Sequence, residues 1–139
     1  MNDFANSIYN YCLAIDDANK KYADKKFEAA SLAYERFEIT HQDCAVGVVY
    51  SLFMKGMCKL QLKNRNGAAD DFQEISDAFG GKPKSEAYKY AVLAQHHLGL
   101  AFIELGKKKE ALDAFKKLVD KAETVSDKSV LAEAMKALY

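Results

Sequence analysis

Two histidines, His96 and His97, stand side by side in the sequence, and imidazole is the commonest metal ligand among protein side chains. Neighbouring helical residues point about 100° apart, so this pair is poorly placed to hold one ion. The third histidine, His41, forms an HxxC pair with Cys44, but no partner motif accompanies it. Because a zinc site takes three or four protein ligands, we expect no metal site.

Two pairs of adjacent carboxylates, Asp16–Asp17 and Asp70–Asp71, have side chains that could serve in acid–base chemistry. Such chemistry needs a buried, perturbed carboxyl beside a substrate, and no pattern places either pair in a pocket. The sequence also contains no nucleophile elbow, phosphate-binding loop or dinucleotide fingerprint. We therefore expect solvated helix faces, no cofactor and no enzymatic activity.

The three cysteines, Cys12, Cys44 and Cys58, are an odd set in apolar segments. A disulfide framework needs an even number, so we expect buried, reduced thiols and a reducing compartment. The first ten residues lack the basic and apolar regions of a signal peptide. These features favour a cytoplasmic protein, or a periplasmic one if the sequence is a trimmed piece.

The charges balance, with 20 basic and 20 acidic residues in 139. Proteins that bind nucleic acid by general electrostatics carry a basic excess, which this sequence lacks. The lysines between residues 107 and 121 are not interleaved with exposed aromatics, so they indicate a solubilising surface. No apolar run approaches the roughly 18 residues that a membrane span needs. We expect neither a nucleic-acid partner nor a membrane span.

The elements that position these side chains are helices in a repeating pattern. In each of three segments, an alanine is followed four positions later by an aromatic residue. Glycines stand 12 residues before two of the small residues, at Gly56 and Gly99. The small-aromatic pairs are Ala30/Tyr34, Ala68/Phe72 and Ala111/Phe115.

This pattern resembles the tetratricopeptide repeat family, most clearly over residues 92–125, less over 49–82 and least over 11–44. The residues that match the family's order are Leu98, Gly99, Phe102, Gly106, Ala111 and Phe115. The resemblance implies helical hairpins stacked into a right-handed solenoid that binds protein partners. The alanines are spaced by 38 and 43 residues, against the usual ~34. These longer repeats are similar to those of bacterial envelope-assembly and secretion-associated members.

The sequence predicts an all-α, tetratricopeptide-like solenoid of three hairpins and a C-terminal capping helix, forming one domain over residues 1–139. The repeats are expected near 3–40, 43–80 and 84–123, and the capping helix near 127–138. Helices are predicted at 3–22, 25–39, 43–64, 66–79, 84–105, 108–123 and 127–138.

In such a stack the first helix of each hairpin lines a concave groove. The middle one is apolar nearly all round except for Ser51, Lys55, Lys59 and Lys63, spaced by four residues. We expect this stripe to face water and to capture a carboxylate or an acidic segment. The full predicted groove is Asp17, Lys21, Tyr50, Ser51, Met54, Lys55, Lys59, Leu93, His96, His97 and Leu100.

A second register, fixed by Gly56 and Ala68, buries Lys55 and Lys59. It makes Tyr50, Phe53, Met54 and Met57 the groove. We prefer the first register because two unpaired buried ammonium groups are costly. In the family's carboxylate-clamp version Asn19 could be one member, but no full set is recognisable.

From the resemblance and the predicted groove we expect a protein-binding adaptor or scaffold, which holds a peptide or helix of a partner protein in its groove. An alternative is a structural subunit that assembles with further copies of itself through the ends of the solenoid. The aromatic-rich segment at residues 4–15 is the candidate face for that assembly.

Overall fold

The computed structural model describes residues 3–42, 44–79 and 88–122, and six α-helices account for nearly all of them. The predicted all-α class is confirmed. The predicted capping helix at 127–138 lies outside the described residues. The helices are α1 (Asp3–Ala23), α2 (Phe27–Thr40), α3 (Ala45–Gln61), α4 (Arg65–Phe79), α5 (Tyr88–Glu104) and α6 (Lys108–Ala122).

Each helix packs against its neighbours in the chain, so that α1–α2, α3–α4 and α5–α6 form three hairpins. Helix α3 also touches α1 and α5, whereas within the described residues α2, α4 and α6 do not touch one another. The closer-packed helices α1, α3 and α5 therefore form an inner layer, and the other three form an outer layer. The predicted solenoid of helical hairpins is confirmed.

The three hairpin turns share one backbone conformation. Lys25, Lys63 and Gly106 have φ values of 62°, 66° and 76°, in the left-handed region. In each turn the next amide donates to a carbonyl oxygen five residues earlier, at 2.8–2.9 Å. This left-handed helix ending is a Schellman-type cap. The turn thus repeats with the same 38- and 43-residue spacing as the alanines.

Close approach of the two helices in the second and third hairpins depends on glycine. A Cβ atom at Gly56 would lie 2.7 Å from the ring of Phe72. A Cβ atom at Gly99 would lie 2.4 Å from the ring of Phe115. Real Cβ atoms do not approach that closely, so each aromatic ring packs directly on a glycine backbone.

Ala18 takes the corresponding place in the first hairpin. It precedes Ala30 by 12 residues and Tyr34 by 16, the spacings that relate Gly56 to Ala68 and Phe72. Ala18, Ala30 and Tyr34 are all 0 % exposed. The first hairpin therefore has the same internal register as the other two.

A buried amide links the last three helices. The Ser76 hydroxyl on α4 donates to Oε1 of Gln95 on α5 at 2.6 Å. Gln95 Nε2 in turn donates to the backbone carbonyl of Ala114 on α6 at 3.1 Å. Gln95 is 1 % exposed, so both of its polar ends are satisfied within the core.

Candidate partner-binding groove

Side chains from all three inner helices meet in one continuous surface. The Tyr50 hydroxyl on α3 donates to Oδ1 of Asn19 on α1 at 2.9 Å. The Tyr34 hydroxyl on α2 donates to the same oxygen. The Tyr50 ring also packs edge-on against Tyr90 of α5, with centroids 5.8 Å apart. The line from Asn19 through Tyr50 to Tyr90 crosses the whole inner layer.

The tyrosines of this surface remain protonated at neutral pH. Burial raises the pKa of Tyr50 and of Tyr90 above the ordinary value. Burial raises the pKa of Tyr34 further still, with the neighbouring Tyr50 adding to the effect. Their hydroxyls therefore act as hydrogen-bond donors, and the Asn19 carbonyl is the acceptor that orients two of them.

The rest of the inner surface is aliphatic. Met54 and Met57 follow Tyr50 at helical spacing on α3 and are partly buried. Leu93 on α5 is also partly buried, and Leu100, two turns further along, is 39 % exposed. Together with the tyrosines, these side chains form an aromatic and aliphatic lining, which suits contact with apolar groups.

The two histidines occupy different positions. The His97 ring stacks on Phe72 at 5.5 Å and packs against Phe53 at 5.6 Å, at the junction of α3, α4 and α5. His96 stacks on His97 at 5.1 Å and is partly exposed. Burial, helped by neighbouring His96, lowers the pKa of His97 to about 4. His97 is therefore a neutral packing residue at pH 7.

The predicted solvent-exposed stripe on α3 is wrong for three of its members. Ser51 is 0 % exposed. The Lys55 ammonium lies 3.2 Å from Glu38 of α2, and the Lys59 ammonium lies 2.8 Å from Asp71 of α4. The stripe therefore faces the outer helices on both sides instead of the inner surface.

The structure follows the register fixed by Gly56 and Ala68 in turning Lys55 and Lys59 toward the outer helices. Phe53 is an exception, because that register places it in the groove and the structure buries it in the core. The preference for the other register assumed that buried lysines would be unpaired, whereas outer helices supply a carboxylate to each. Burial works against the charge of Lys55, but the carboxylates of Glu38 and Asp71 outweigh it, and the pKa of Lys55 is raised. Burial also raises the pKa of Glu38, against the opposing effect of Lys55.

Asp17 and Lys21 form an ion pair with each other on α1, one repeat before Lys55 and Lys59. The hydrogen bond from Lys21 lowers the pKa of Asp17, whose side chain is 63 % exposed. Asp17 lines a cleft of about 170 Å³ between α1 and α2, together with Arg36 and His41. This pair lies at the N-terminal end of the stack, and the structure does not bring it together with His96 and His97 of α5.

The described cysteines are free thiols. Cys58 is buried, and burial raises its pKa to about 11, while Cys44 is partly buried. The side chain of Cys12 lies outside the described residues. In the described part of the chain, no group of three or more His, Cys, Asp or Glu residues is placed to hold a metal ion. None of the helices described there is long and apolar enough to cross a membrane.

The expectation that Asp71 lies on a solvated helix face is wrong, because Asp71 is 6 % exposed and pairs with Lys59. Glu38 was not singled out at all, since its pairing with Lys55 depends on how the hairpins stack and carries no motif. One further signal in the sequence would have fixed the register. The signal was the 12-residue spacing from Ala18 to Ala30, which repeats that from Gly56 to Ala68. With three equivalent small positions aligned, Tyr50 follows as an inner residue.

These features define a helical-repeat protein built from stacked hairpins. Residues 52–139, more than half of the chain, match the family of anaphase-promoting complex subunit 5. The chain belongs to this family. The match supports a tetratricopeptide-like helical family, but gives no support to the resemblance to bacterial envelope-assembly proteins. No curated protein matches the sequence.

Proposed function

We propose that the chain is a non-enzymatic scaffold within a protein assembly, and that it holds a peptide or helix of a partner along the inner layer. The observation that carries this proposal is the continuous line of Asn19, Tyr50 and Tyr90 across α1, α3 and α5. Membership in a family named for a subunit of a complex supports a protein partner.

The lining favours a partner segment that presents apolar side chains. Tyr50, Met57 and Leu100 offer aromatic, thioether and aliphatic surface, and flexible methionines adapt to different partner shapes. Asn19 uses Oδ1 to accept two tyrosine hydroxyls, and no described residue accepts from its amide nitrogen. That nitrogen is available to donate to a backbone carbonyl of the bound segment.

Carboxylate capture by Lys55 and Lys59 is not part of this proposal. Both ammonium groups are engaged by Glu38 and Asp71, on the side of α3 that faces the outer helices. A partner carboxylate would have to displace an ion pair that is already formed, which removes its electrostatic advantage. The inner surface therefore selects for apolar contact more than for charge.

Two leucines provide a matched test. Leu100 on the inner surface is 39 % exposed, and Leu112 on outer helix α6 is 55 % exposed. Substitution by glutamate at either site adds the same charge at an accessible position. Proteins captured from a lysate of the source cells should be retained by wild type and by Leu112→Glu, and lost with Leu100→Glu. Circular dichroism checks that both variants keep the wild-type helix content.

The proposal fails if Leu100→Glu recovers the same proteins in the same amounts as wild type. It also fails if Leu112→Glu loses them equally, because binding would then not be confined to the inner layer. Tyr50→Phe is a second probe, since it removes the hydroxyl that orients Asn19 but keeps the ring. We expect it to weaken capture less than Leu100→Glu does.

A further inference from the structure

The outer face of α2 differs in chemistry from the outer faces of the other two hairpins. Leu32 and Ile39, two turns apart, are 61 % and 67 % exposed. The repeat spacings of 38 and 43 residues place aspartates at both equivalent positions of α4 and α6. Those aspartates are Asp70, Asp77, Asp113 and Asp120. The first hairpin thus leaves two large apolar side chains in water where the others carry charge.

Helix α1 has a comparable anomaly. Leu13 is 50 % exposed, whereas its equivalents Ser51 on α3 and Ala94 on α5 are 0 % exposed. Those two residues lie where the outer helix of the preceding hairpin packs, as the pairing of Lys55 with Glu38 shows on α3. Leu13 therefore belongs to a surface that another helix covers in the rest of the stack.

A cleft with opposite charges separates these apolar side chains. Ala14 and Asp17 of α1 and Ala33 and Arg36 of α2 line it. On the α2 surface, helical spacing places Leu32, Arg36 and Ile39 side by side. We call the set Leu13, Asp17, Leu32, Arg36 and Ile39 the end face. It has apolar side chains on both sides of a pair of opposite charges.

We propose that the end face binds the same face of a second copy of this chain in a two-fold pair. A two-fold axis places a patch against itself, so the patch must be complementary to itself. Asp17 uses Oδ2 to pair with Lys21 of its own copy, and its side chain is 63 % exposed. The end face meets the condition for a two-fold pair, because Oδ1 of Asp17 in each copy can accept from Arg36 of the other without displacing Lys21, while Leu13, Leu32 and Ile39 exclude water around the contact. Leu13 and Asp17 lie on the inner-layer helix α1, but no end-face residue belongs to the line of Asn19, Tyr50 and Tyr90, so this proposal does not depend on the groove.

The size of the end face sets the expected strength. Leu32 and Ile39 lie about 11 Å apart along α2, at 1.5 Å per residue, and two helices side by side are about 20 Å wide. The end face thus covers roughly 200 Å² in each copy, well below the ~800 Å² of a standard interface. We expect a weak, transient dimer with a dissociation constant in the upper micromolar range.

The test is sedimentation equilibrium of the full chain from about 1 to about 500 µM. Wild type is compared with a variant in which α2 carries aspartates at the positions where α4 and α6 have them. Leu32→Asp/Ile39→Asp should raise the dimer dissociation constant at least about tenfold, because charges replace the apolar contacts. Leu112→Asp on α6, which alters a leucine 55 % exposed, is the matched control and should leave association unchanged. Circular dichroism verifies folding of each variant.

A charge exchange tests the pairing itself. Asp17→Arg and Arg36→Asp should each weaken the dimer, because each places like charges opposite one another. The double variant should restore it, a result that a merely structural role of either residue does not give. A wild-type monomer throughout the range would overturn the proposal in favour of a different protein on this face. Association that survives Leu32→Asp/Ile39→Asp, or that the double exchange leaves weak, would also overturn it.

Discussion

Charge reversal at Lys55 and Lys59 should unfold or strongly destabilise the protein. In the Lys55→Glu/Lys59→Glu variant, two glutamates would face Glu38 and Asp71 at distances where the wild type has ion pairs of 3.2 and 2.8 Å. The side chains in these pairs are 9–27 % exposed, so water screens them only in part. Each reversal therefore replaces an attraction by a repulsion in a poorly solvated place.

The expected magnitude follows from this partial burial. Removing one member of a fully buried pair costs about 3–5 kcal/mol, and partial exposure reduces that to about 2–3 kcal/mol here. The two sites together should lower the free energy of unfolding by about 5 kcal/mol, close to the whole stability of many small domains. Protonation of Glu38, whose pKa burial already raises, relieves part of this cost in acid.

Urea denaturation followed by circular dichroism measures the effect. Lys20→Glu/Lys117→Glu is the matched control, because it makes the same change of charge at two exposed lysines. We expect its free energy of unfolding to stay within about 0.5 kcal/mol of that of wild type. An equal stability for Lys55→Glu/Lys59→Glu would refute the reasoning, since it would show that the two carboxylates do not hold these lysines. If Lys55→Glu/Lys59→Glu loses partner binding, we expect the cause to be loss of the folded structure, because neither lysine lies on the inner surface.

Three further substitutions follow from the backbone and the core. Lys63→Gly should stabilise the protein by about 1 kcal/mol in urea titration, because it relieves a left-handed φ of 66°, while Lys20→Gly inside α1 should cost a similar amount. Between pH 6.5 and about 4, His97 is protonated in the unfolded chain but stays neutral in the folded protein, because its folded-state pKa is about 4. Wild type should lose up to about 3 kcal/mol as pH falls through that window, and His97→Phe should show a shallower loss. Gly99→Ala should lower the free energy of unfolding, measured by urea denaturation, by about 1–2 kcal/mol, because the new Cβ would lie 2.4 Å from the ring of Phe115. A gain in stability would contradict the close packing.

The fold was largely predictable because its signals are local. Gly106 and the Ala111/Phe115 pair mark a turn and a close helix contact within one short segment. The predicted helices 108–123 and 66–79 agree with the observed Lys108–Ala122 and Arg65–Phe79 to within one residue. Helix periodicity and turn chemistry require no knowledge of distant residues.

The face of α3 that turns toward the inner layer was not predictable with the same reasoning. Whether Lys55 faces water depends on Glu38, which is 17 residues away and carries no motif. The cost argument against burying the lysine was sound for an unpaired ammonium, but pairing between hairpins reverses it. Tyr50 and Met54 were nevertheless among the predicted groove residues, since an apolar inner face follows from the glycine register.

Gln95 has a consequence for how the last two hairpins are aligned. The surface around it is smooth, because Ala91, Ala94, Ala111 and Ala114 are all buried and small. These small side chains by themselves do little to oppose a shift of α5 along its neighbours. A shift of one residue, however, would separate Gln95 from Ser76 and strand a buried amide, at a cost of about 1–3 kcal/mol for each lost partner. Gln95 thus adds a hydrogen-bonding constraint on the alignment of α5 to the steric constraint that the Phe115 ring on Gly99 provides.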